Sequence, residues 1–351
     1  MAYLDNIPTS IKQYFTILEP IPPKWLNDYI ETPAMLRSAS ISNNCGMVYT
    51  NLEPSDFFYS NLDHSVGVAL VIWHFTHDKK QTLSGLFHDI ATPAFKHCVD
   101  VMNGDGARQE SLEQLTPTFI KNSPEIMSLL ARDHINLEEV CDYHLYPIAD
   151  NDSPRLASDR LEYSLSNALF LYDKLTLDEV SEIYQDIEVQ TNEDNLPELG
   201  FKTKRLARKF VKATSEMSVI YRDERPVYSM RLIADILKSL REDDQLTIED
   251  LYTLPESAII QKIEDSKFQP IFDRWRTARN LKTSKDQPTS IYSVRQSLKV
   301  RYIDPLVNGR RISKICKIAN SYIAKNLAYA MNDYVYLEGV DQNLLPQESV
   351  L

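Results

Sequence analysis

Glycine is scarce in this chain, with 8 glycines in 351 residues, against an average usage of about 7%. The sequence has no GxxxxGK[ST] loop, no GxGxxG fingerprint and no GxSxG elbow. These absences exclude the common phosphate loops, dinucleotide-binding turns and serine-hydrolase elbows. Low glycine content, with leucine, isoleucine, alanine and glutamate at helical spacing, predicts a mainly α protein.

Cysteine and long apolar runs are equally sparse. The N-terminal sequence MAYLDNIPTS lacks the basic and apolar segments of a signal peptide. The longest apolar stretch, residues 66–73, is too short to span a membrane. The four cysteines have no CxxC or CxH spacing and fit reduced thiols better than a disulfide framework: Cys45, Cys98, Cys141 and Cys316. We therefore expect a cytoplasmic protein with no membrane partner.

Positive charge is in deficit, with 38 Lys and Arg against 50 Asp and Glu and a net charge of −12. A broad nucleic-acid-binding surface usually needs a basic domain, so nucleic acid is not an expected partner. The deficit still allows a local basic pocket for a phosphorylated small molecule. An apolar content of 43% and a charged content of 25% are ordinary for a globular protein.

The pattern along the chain predicts one large helical domain with a small C-terminal α+β appendage. We divide it into an N-terminal arm (1–55), a metal-binding core (56–175), a helical extension (176–280) and the appendage (281–351). Helices are predicted at 56–77, 137–144 and 154–171, among others, and a loop or weak hairpin at 187–201. In the appendage, the sequence predicts a polar linker at 281–290 and a half-buried strand at 292–302, where apolar and polar residues alternate. Asn308-Gly309 predicts a hairpin turn.

A sparse set of nitrogen and oxygen ligands lies on the predicted helices of the core. His88 and Asp89 are adjacent, His64 is one helix earlier, and Asp159 lies on a later helix. Neighbouring residues on a helix are about 100° apart, so His88 and Asp89 converge only on an ion at the helix edge. Such a set suits a divalent metal that activates water. The competing interpretation is a hydrogen-bonded core pair, which is more frequent for an isolated buried His-Asp dipeptide.

Three segments resemble the HD-domain superfamily of metal-dependent phosphohydrolases: NLDHSVGVAL, LFHDIATPAFKH and PRLASDRLEYS. The likeness is greatest to the branch that contains deoxynucleoside triphosphate triphosphohydrolases, and it runs over about residues 60–163. A fainter similarity lies at residues 246–263, LTIEDLYTLPESAIIQKI. The resemblance implies an HD-domain helical bundle.

The resemblance also implies roles for individual residues. His64, His88, Asp89 and Asp159 match the ligands of a divalent metal ion (Mn, Fe, Zn, Ni, Co or Mg). Residues that match catalytic groups are His97 and Asp100, which position or activate the attacking water, and Glu110, the acid of a His-Glu pair. The sequence departs from the family pattern at three positions that we take as substrate-binding candidates: Asn61, where an arginine is usual, and Thr92 and Gln109, where histidines are usual.

Phosphoryl transfer requires cations on the non-bridging oxygens. The candidates are Lys96, Arg108, Arg160, Arg295, Lys299 and Arg301. Tyr163 is a candidate for stacking on a base or sugar. Each has a simpler interpretation: Arg160 paired with Glu162 or another helix carboxylate, the three C-terminal cations on a solvated face, and the basic run 202–212 on an exposed helix side.

We therefore predict metal-dependent hydrolysis of a nucleotide or a related phosphorylated small molecule. The alternative is a catalytically altered HD scaffold that binds a nucleotide as a sensor or regulator, which the changes at Asn61, Thr92 and Gln109 favour. A third interpretation is a di-iron oxygenase, with His134 and Glu110 as ligands of a second metal. Self-association into a homo-oligomer is expected from the family likeness.

Overall fold

The computed structural model describes residues 3–53, 55–107 and 113–345. Helices account for 55% of the chain and strands for 9%. This confirms a mainly helical protein with a small sheet region. The four-part division of the chain stays a prediction.

The helices of the first half form the region that carries the predicted site. They are α1 (Tyr3–Asn6), α2 (Thr9–Leu18), α3 (Leu26–Ile30), α4 (Pro33–Arg37), α5 (Asn61–Thr76), α6 (Lys79–Phe87), α7 (His97–Met102), α8 (Thr116–Lys121), α9 (Pro124–Arg132) and α10 (Ser158–Ser166). A π-helical turn, Asn167–Leu171, continues α10.

The second half adds α11 (Leu177–Gln185), α12 (Lys204–Ile220), α13 (Glu224–Glu242), α14 (Ile248–Thr253), α15 (Glu256–Glu264), α16 (Gln269–Thr277), α17 (Ile312–Ile315) and α18 (Lys317–Ala328). The strands are β1 (Ile187–Thr191), β2 (Pro197–Phe201), β3 (Lys282–Ser284), β4 (Ile291–Val294), β5 (Leu306–Val307), β6 (Arg310–Arg311) and β7 (Tyr334–Asp341).

These strands form two small sheets with the orders β1-β2-β5-β6 and β3-β7-β4. Residues 187–201, expected as a loop or a weak hairpin, form the hairpin β1–β2, and the turn predicted at Asn308-Gly309 joins β5 to β6. Asn308 and Gly309 both have positive φ, 50° and 73°, as a two-residue turn of this type requires. β5 pairs with β2 in parallel, which joins the C-terminal segment to the helical region.

Five predicted elements differ from the structure in extent or in type. The helix expected at 56–77 begins at Asn61, because Ser60 and Asp63 form a capping box there. Residues 137–144 form separate 3₁₀ turns, Leu137–Glu139 and Tyr143–Leu145, and the helix expected from 154 begins at Ser158. The strand expected at 292–302 ends at Val294, while residues 282–284 of the expected linker pair with the C-terminal strand β7.

Two large hydrophobic cores run through the described residues. The first joins Tyr14 and Leu18 of the N-terminal segment to α5, α10 and α12, and includes Ile323 of α18. The second contains residues of α7, α13, α15 and α16 together with strands β4 and β7. Both ends of the described chain therefore pack into the cores that support the site.

Helices α5 and α6 lie in close contact beneath the site. A Cβ atom at Gly85 would lie 2.2 Å from Ile72 Cδ1, so only glycine permits this approach. His88, the C-terminal cap residue of α6, follows three residues after this contact.

Across residues 3–53, 55–107 and 113–345, none of the helices combines the length and the apolar composition needed to cross a membrane.

Candidate metal centre

His64 lies in the first turn of α5 and is 4% exposed. The capping box of Ser60 and Asp63 fixes the start of the helix and thus the direction of the His64 side chain. The Nδ1–H of His64 donates a hydrogen bond to Glu162 Oε2 at 2.5 Å. This bond leaves Nε2 of His64 directed at the candidate site.

His88 is the C-terminal cap residue of α6, and Asp89 follows it. The Nδ1–H of His88 donates to the backbone oxygen of Gly85 at 2.6 Å. The Tyr143 ring stacks against the His88 imidazole, with ring centroids 5.1 Å apart. His88 therefore has a fixed ring orientation and presents Nε2, as His64 does, which is the tautomer that a metal ligand requires.

The fourth predicted ligand, Asp159, reaches the same place from the first turn of α10. Its Oδ1 lies 3.2 Å from His64 Nε2 and 3.9 Å from His88 Nε2. Asp89 Oδ2 lies 3.8 Å from His88 Nε2, and ligand atoms of His64, His88 and Asp89 all lie within 4.8 Å of one another. The structure therefore brings together all four side chains that the sequence singled out.

These separations suit a single divalent ion. Ligands about 2.1 Å from one ion are about 3.0 Å apart when adjacent in an octahedron and about 4.2 Å apart when opposite. The observed distances of 3.2 to 3.9 Å lie between these two values. Two imidazoles and two carboxylates are also a donor set that Mn, Fe, Zn, Co and Ni accept. The residues present therefore fit a divalent metal.

The two candidate carboxylate ligands are held in the ionised form that metal binding requires. Burial alone would raise the pKa of Asp89, but Lys96, His88 and His64 hold it well below its ordinary value. The pKa of Asp159 is lowered in the same way, by His64 and His88 against the effect of burial. Burial would lower the pKa of His64, yet the Glu162 and Asp159 carboxylates raise it to about 10. An incoming metal ion must therefore displace a proton from His64.

Glu162 is a functional residue that our sequence interpretation missed. It is fully buried, and besides His64 it accepts hydrogen bonds from Tyr59 at 2.6 Å and Tyr14 at 3.2 Å. A carboxylate that orients a ligating histidine and raises its basicity is a common partner of metal sites. The available signal was its spacing of three residues from Asp159, which places both on one side of α10.

Lys96 and Asn61 lie beside the candidate ligand Asp89. Lys96 Nζ is 3.0 Å from Asp89 Oδ2 and donates to Asn61 Oδ1 at 2.7 Å and to Asn43 Oδ1 at 2.6 Å. Asn61 Nδ2 donates to the backbone oxygen of Asp89 at 3.2 Å. Asn61 therefore contacts the His-Asp segment directly.

The loop that delivers Lys96 has an unusual backbone. Phe95 and Lys96 both have positive φ, 63° and 44°, a conformation that costs roughly 1–3 kcal/mol per non-glycine residue. The Phe95 ring packs against Gly46, where a Cβ atom would lie 2.6 Å from Phe95 Cδ1. The Glu256 carboxylate accepts the Phe95 N–H at 3.0 Å. These contacts hold the strained loop in place.

His97 and Asp100, the predicted water-handling pair, contact each other at the start of α7. His97 Nδ1 and Asp100 Oδ2 are 2.8 Å apart, with His97 partly exposed and Asp100 buried. Burial lowers the pKa of His97, with help from the charge of Arg301, against the opposing effect of Asp100. A mainly neutral His97 can accept a proton, so the pair has the chemistry for its predicted role.

Two other predicted substrate contacts are engaged elsewhere. The Thr92 side chain is buried, and its backbone oxygen accepts a hydrogen bond from Arg37. The Arg160 guanidinium lies 2.9 Å from Asp150 Oδ1 and donates to Asn151 Oδ1 at 2.7 Å. Arg160 thus pairs with a carboxylate, as its simpler interpretation expected, but that carboxylate is Asp150 in the loop before α10 and not a helix residue. The roles assigned to Thr92 and Arg160 stay predictions.

The remaining candidates are dispersed. Arg108, Gln109 and Glu110 lie outside the described residues. Arg295 stacks over Tyr334 at 5.4 Å. Within the described ranges, the cluster of potential metal ligands does not include His134. In the basic run 202–212, Lys209 and Lys212 pair with Glu179 and Glu216 on the helix surface.

No family model matches the chain. It is 25% identical over 247 residues to the uncharacterized protein YdhJ of Bacillus subtilis, covering 70% of this chain and 73% of that protein. It is 23% identical over 128 residues to the metal-dependent phosphohydrolase cns2 of Cordyceps militaris, covering 36% of each chain. The chain therefore spans little more than a third of cns2.

A solved structure has the same overall fold. The crystal structure of a hypothetical protein from Aquifex aeolicus has a TM-score of 0.61 and 17% sequence identity to this chain. The superposition covers 92% of this chain and 94% of that chain. At this level of identity the likeness shows the fold alone.

Proposed function

We propose that this protein is an HD-domain, metal-dependent phosphohydrolase that acts on a nucleotide or a related phosphorylated small molecule. The observation that carries the proposal is the convergence of His64, His88, Asp89 and Asp159, with both histidines fixed through Nδ1. A hydrogen-bonded core pair would not need two oriented imidazoles and two carboxylates facing one another. The partial similarity to the phosphohydrolase cns2 supports hydrolase chemistry at a general level.

A bound divalent cation would supply two effects, lowering the pKa of a coordinated water from its much higher bulk value to about 7 and offsetting charge on the phosphoryl group. His97 would accept a proton from the attacking water, and Asp100 would hold its ring in position. A positioned general base contributes typically about 10²–10⁴-fold. Lys96 would hold Asp89 in place and leave its own charge close to the phosphoryl oxygens.

The assignment is tested by following phosphate, pyrophosphate and triphosphate release from a panel of nucleotides with Mn²⁺, Fe²⁺, Co²⁺, Zn²⁺, Ni²⁺ or Mg²⁺. We expect metal-dependent turnover that Asp89→Ala abolishes. The matched control is Asp286→Ala, which removes an exposed carboxylate far along the chain and should leave turnover unchanged. Equal turnover by Asp89→Ala and the wild type would overturn the proposal.

A second candidate function is a nucleotide sensor that retains the metal but does not turn over. The Asn61 side chain favours it, because its amide is engaged by Asp89 and Lys96 where active relatives are expected to carry a phosphate-binding arginine. Saturable nucleotide binding without product release under every metal would select this function. The di-iron oxygenase is distinguished by two other measurements, because it requires two irons per chain in a metal analysis and consumption of oxygen.

A further inference from the structure

A buried glutamate at the start of α15 bonds to two loops beside the candidate metal centre. Glu256 is fully buried. Its Oε1 accepts the backbone N–H of Phe95 at 3.0 Å, and its Oε2 accepts the backbone N–H of Ser42 at 3.1 Å. The Tyr49 hydroxyl donates to the same Oε2 at 2.8 Å. An ionised carboxylate in the interior needs donors of this kind, so Glu256 holds both loops against α15.

The residues that follow these two backbone bonds meet each other at Asp89. Lys96 comes directly after Phe95, and Asn43 comes directly after Ser42. Lys96 Nζ donates to Asn43 Oδ1 at 2.6 Å and to Asp89 Oδ2 at 3.0 Å. One carboxylate therefore fixes the backbone on both sides of the contact between Lys96 and Asn43.

The backbone at Lys96 depends on support from outside its own loop. Phe95 and Lys96 have positive φ values of 63° and 44°, which non-glycine residues keep only where the surrounding structure imposes them. Besides the bond to Glu256, the Ala94 N–H donates to the backbone oxygen of Leu251 in α14 at 2.8 Å. Helices α14 and α15 therefore hold the loop at two successive residues.

The Lys96 ammonium passes this constraint on to a candidate ligand. An ammonium has three donors, and those of Lys96 are directed at Asn43, Asn61 and Asp89. The oxygen that it holds, Asp89 Oδ2, is the one that lies 3.8 Å from His88 Nε2. A carboxylate oxygen has two lone pairs, so Oδ2 can accept from Lys96 and bind an ion together.

We propose that Glu256 is a positioning residue of the candidate metal centre, which fixes Lys96 and Asn43 through the backbone and so directs the Asp89 carboxylate at the metal. This inference rests on the proposed function, since it names a residue on which the metal binding of that function depends. Glu256 acts through Lys96 and does not itself bind the ion.

The inference is tested by calorimetric titration of Mn²⁺ into the protein at pH 8, above the pKa of about 7 that burial gives Glu256. We expect Glu256→Gln to weaken Mn²⁺ binding about tenfold, because loss of the groups that orient a metal ligand typically costs about 10–100-fold in affinity. An amide has one oxygen and two N–H donors. Glutamine therefore cannot accept from Phe95 and Ser42 on opposite sides as the carboxylate does.

A double-mutant cycle separates positioning from a general loosening of the fold. Lys96→Met removes the group through which Glu256 acts. Adding Glu256→Gln to Lys96→Met should therefore change the Mn²⁺ affinity by less than about twofold. General loosening would instead weaken binding by the same factor in both backgrounds, and that result overturns the inference.

The matched control is Asp235→Asn. Asp235 is also a buried carboxylate that accepts from a tyrosine, Tyr292, at 2.7 Å, but the two residues lie on α13 and β4. We expect this variant to bind Mn²⁺ as the wild type does, with thermal unfolding measured for every variant. Tyr49→Phe is a milder second variant that keeps the ring and removes one bond to Glu256. It should weaken Mn²⁺ binding by a smaller factor of about three, and only while Lys96 is present.

The outcomes distinguish this inference from the proposed function. Mn²⁺ affinities of Glu256→Gln and Tyr49→Phe within about twofold of the wild type overturn the inference, even when Asp89-dependent turnover is intact. A loss of Mn²⁺ affinity that depends on Lys96, in a protein that turns over no nucleotide with any metal, supports the inference and contradicts hydrolysis.

Discussion

Glu162 shows how one side chain sets the properties of its neighbours. Its carboxylate is fully buried and accepts hydrogen bonds from Tyr14, Tyr59 and His64. A buried carboxylate is costly unless such bonds satisfy it. Here they hold it against Nδ1 of His64, so that Nε2 faces Asp159.

We predict that Glu162→Gln lowers metal affinity by roughly 10- to 100-fold, the usual effect of removing such an orienting partner. The amide keeps the shape of the side chain but accepts the His64 proton less strongly. Metal titration with spectroscopic or calorimetric detection measures the change. The control is Glu182→Gln, at a half-exposed glutamate on α11. Equal metal affinities of the two variants would show that Glu162 does not support metal binding.

Glu256 makes the stability of the fold depend on pH. Burial raises the pKa of its carboxyl to about 7 from an ordinary value of 4.5, although hydrogen bonds from Tyr49, Phe95 and Ser42 oppose the shift. The folded state therefore binds more protons than the unfolded state between these values, and its stability falls as pH rises through this window. The contribution is complete below about pH 4.5 and lost above about pH 7.

We predict that Glu256→Gln removes about 3 kcal/mol of this pH dependence, which corresponds to the shift from 4.5 to about 7. Urea unfolding at pH 5 and pH 8 gives the free energy of unfolding of both proteins. The wild type should lose more stability than the variant between the two pH values. Equal losses of unfolding free energy in the wild type and the variant would show that the pKa of Glu256 is not raised in the folded state.

At the scale of elements, α5 meets α10 at a glycine. Gly67 lies one turn after His64, and a Cβ atom there would be 2.7 Å from Glu162 Oε1 and 2.8 Å from its Cγ. Glycine in a helix interior costs about 1 kcal/mol relative to alanine. That cost is offset here because only glycine lets the Glu162 carboxylate reach His64.

We predict that Gly67→Ala weakens metal binding by about tenfold or more, despite the better helix propensity of alanine, because Glu162 is pushed away from His64. Metal affinity and thermal unfolding measured side by side separate this effect from general destabilisation. If the variant is more stable than the wild type and binds metal with the same affinity, then Gly67 is not needed to place Glu162 against His64.

The elements also show what sequence can and cannot predict. Helical periodicity located α5, α6 and α10, and with them His64, His88 and Asp159. The strand expected at 292–302 failed because a strand needs a partner, and β7 pairs only with part of β4 before the chain turns away. The predicted strand included Val300 only because apolar and polar residues alternate there, and in the structure the Val300 side chain is 45% exposed. Glu162 was missed because spacing does not distinguish a buried carboxylate from a solvated one.

At the scale of the whole molecule, the C-terminal segment is attached to the helical region by a buried ion pair. Arg311 of β6 contacts Glu198 of β2 through two bonds of 2.5 and 2.8 Å. Glu198 is fully buried and also accepts from the backbone N–H of Leu156, at 3.2 Å, just before α10. The pair therefore connects the segment that carries Arg301 to the start of the helix that carries Asp159.

We predict that Arg311→Met lowers the free energy of unfolding by roughly 3–5 kcal/mol, because it leaves the Glu198 charge buried without its partner. Arg310→Met, at the exposed neighbouring position, should change stability by less than about 0.5 kcal/mol. Denaturant unfolding of both variants makes the comparison. Equal stabilities would mean that this pair does not hold the segment in place.

We propose that four side chains from three helical regions hold one divalent cation, and anomalous X-ray diffraction from a crystal soaked in Mn²⁺ tests this most directly. We predict one anomalous peak about 2.0–2.3 Å from His64 Nε2, His88 Nε2 and carboxylate oxygens of Asp89 and Asp159. A crystal grown at neutral pH with no peak among these atoms, and with His64 still bonded to Asp159, would contradict it.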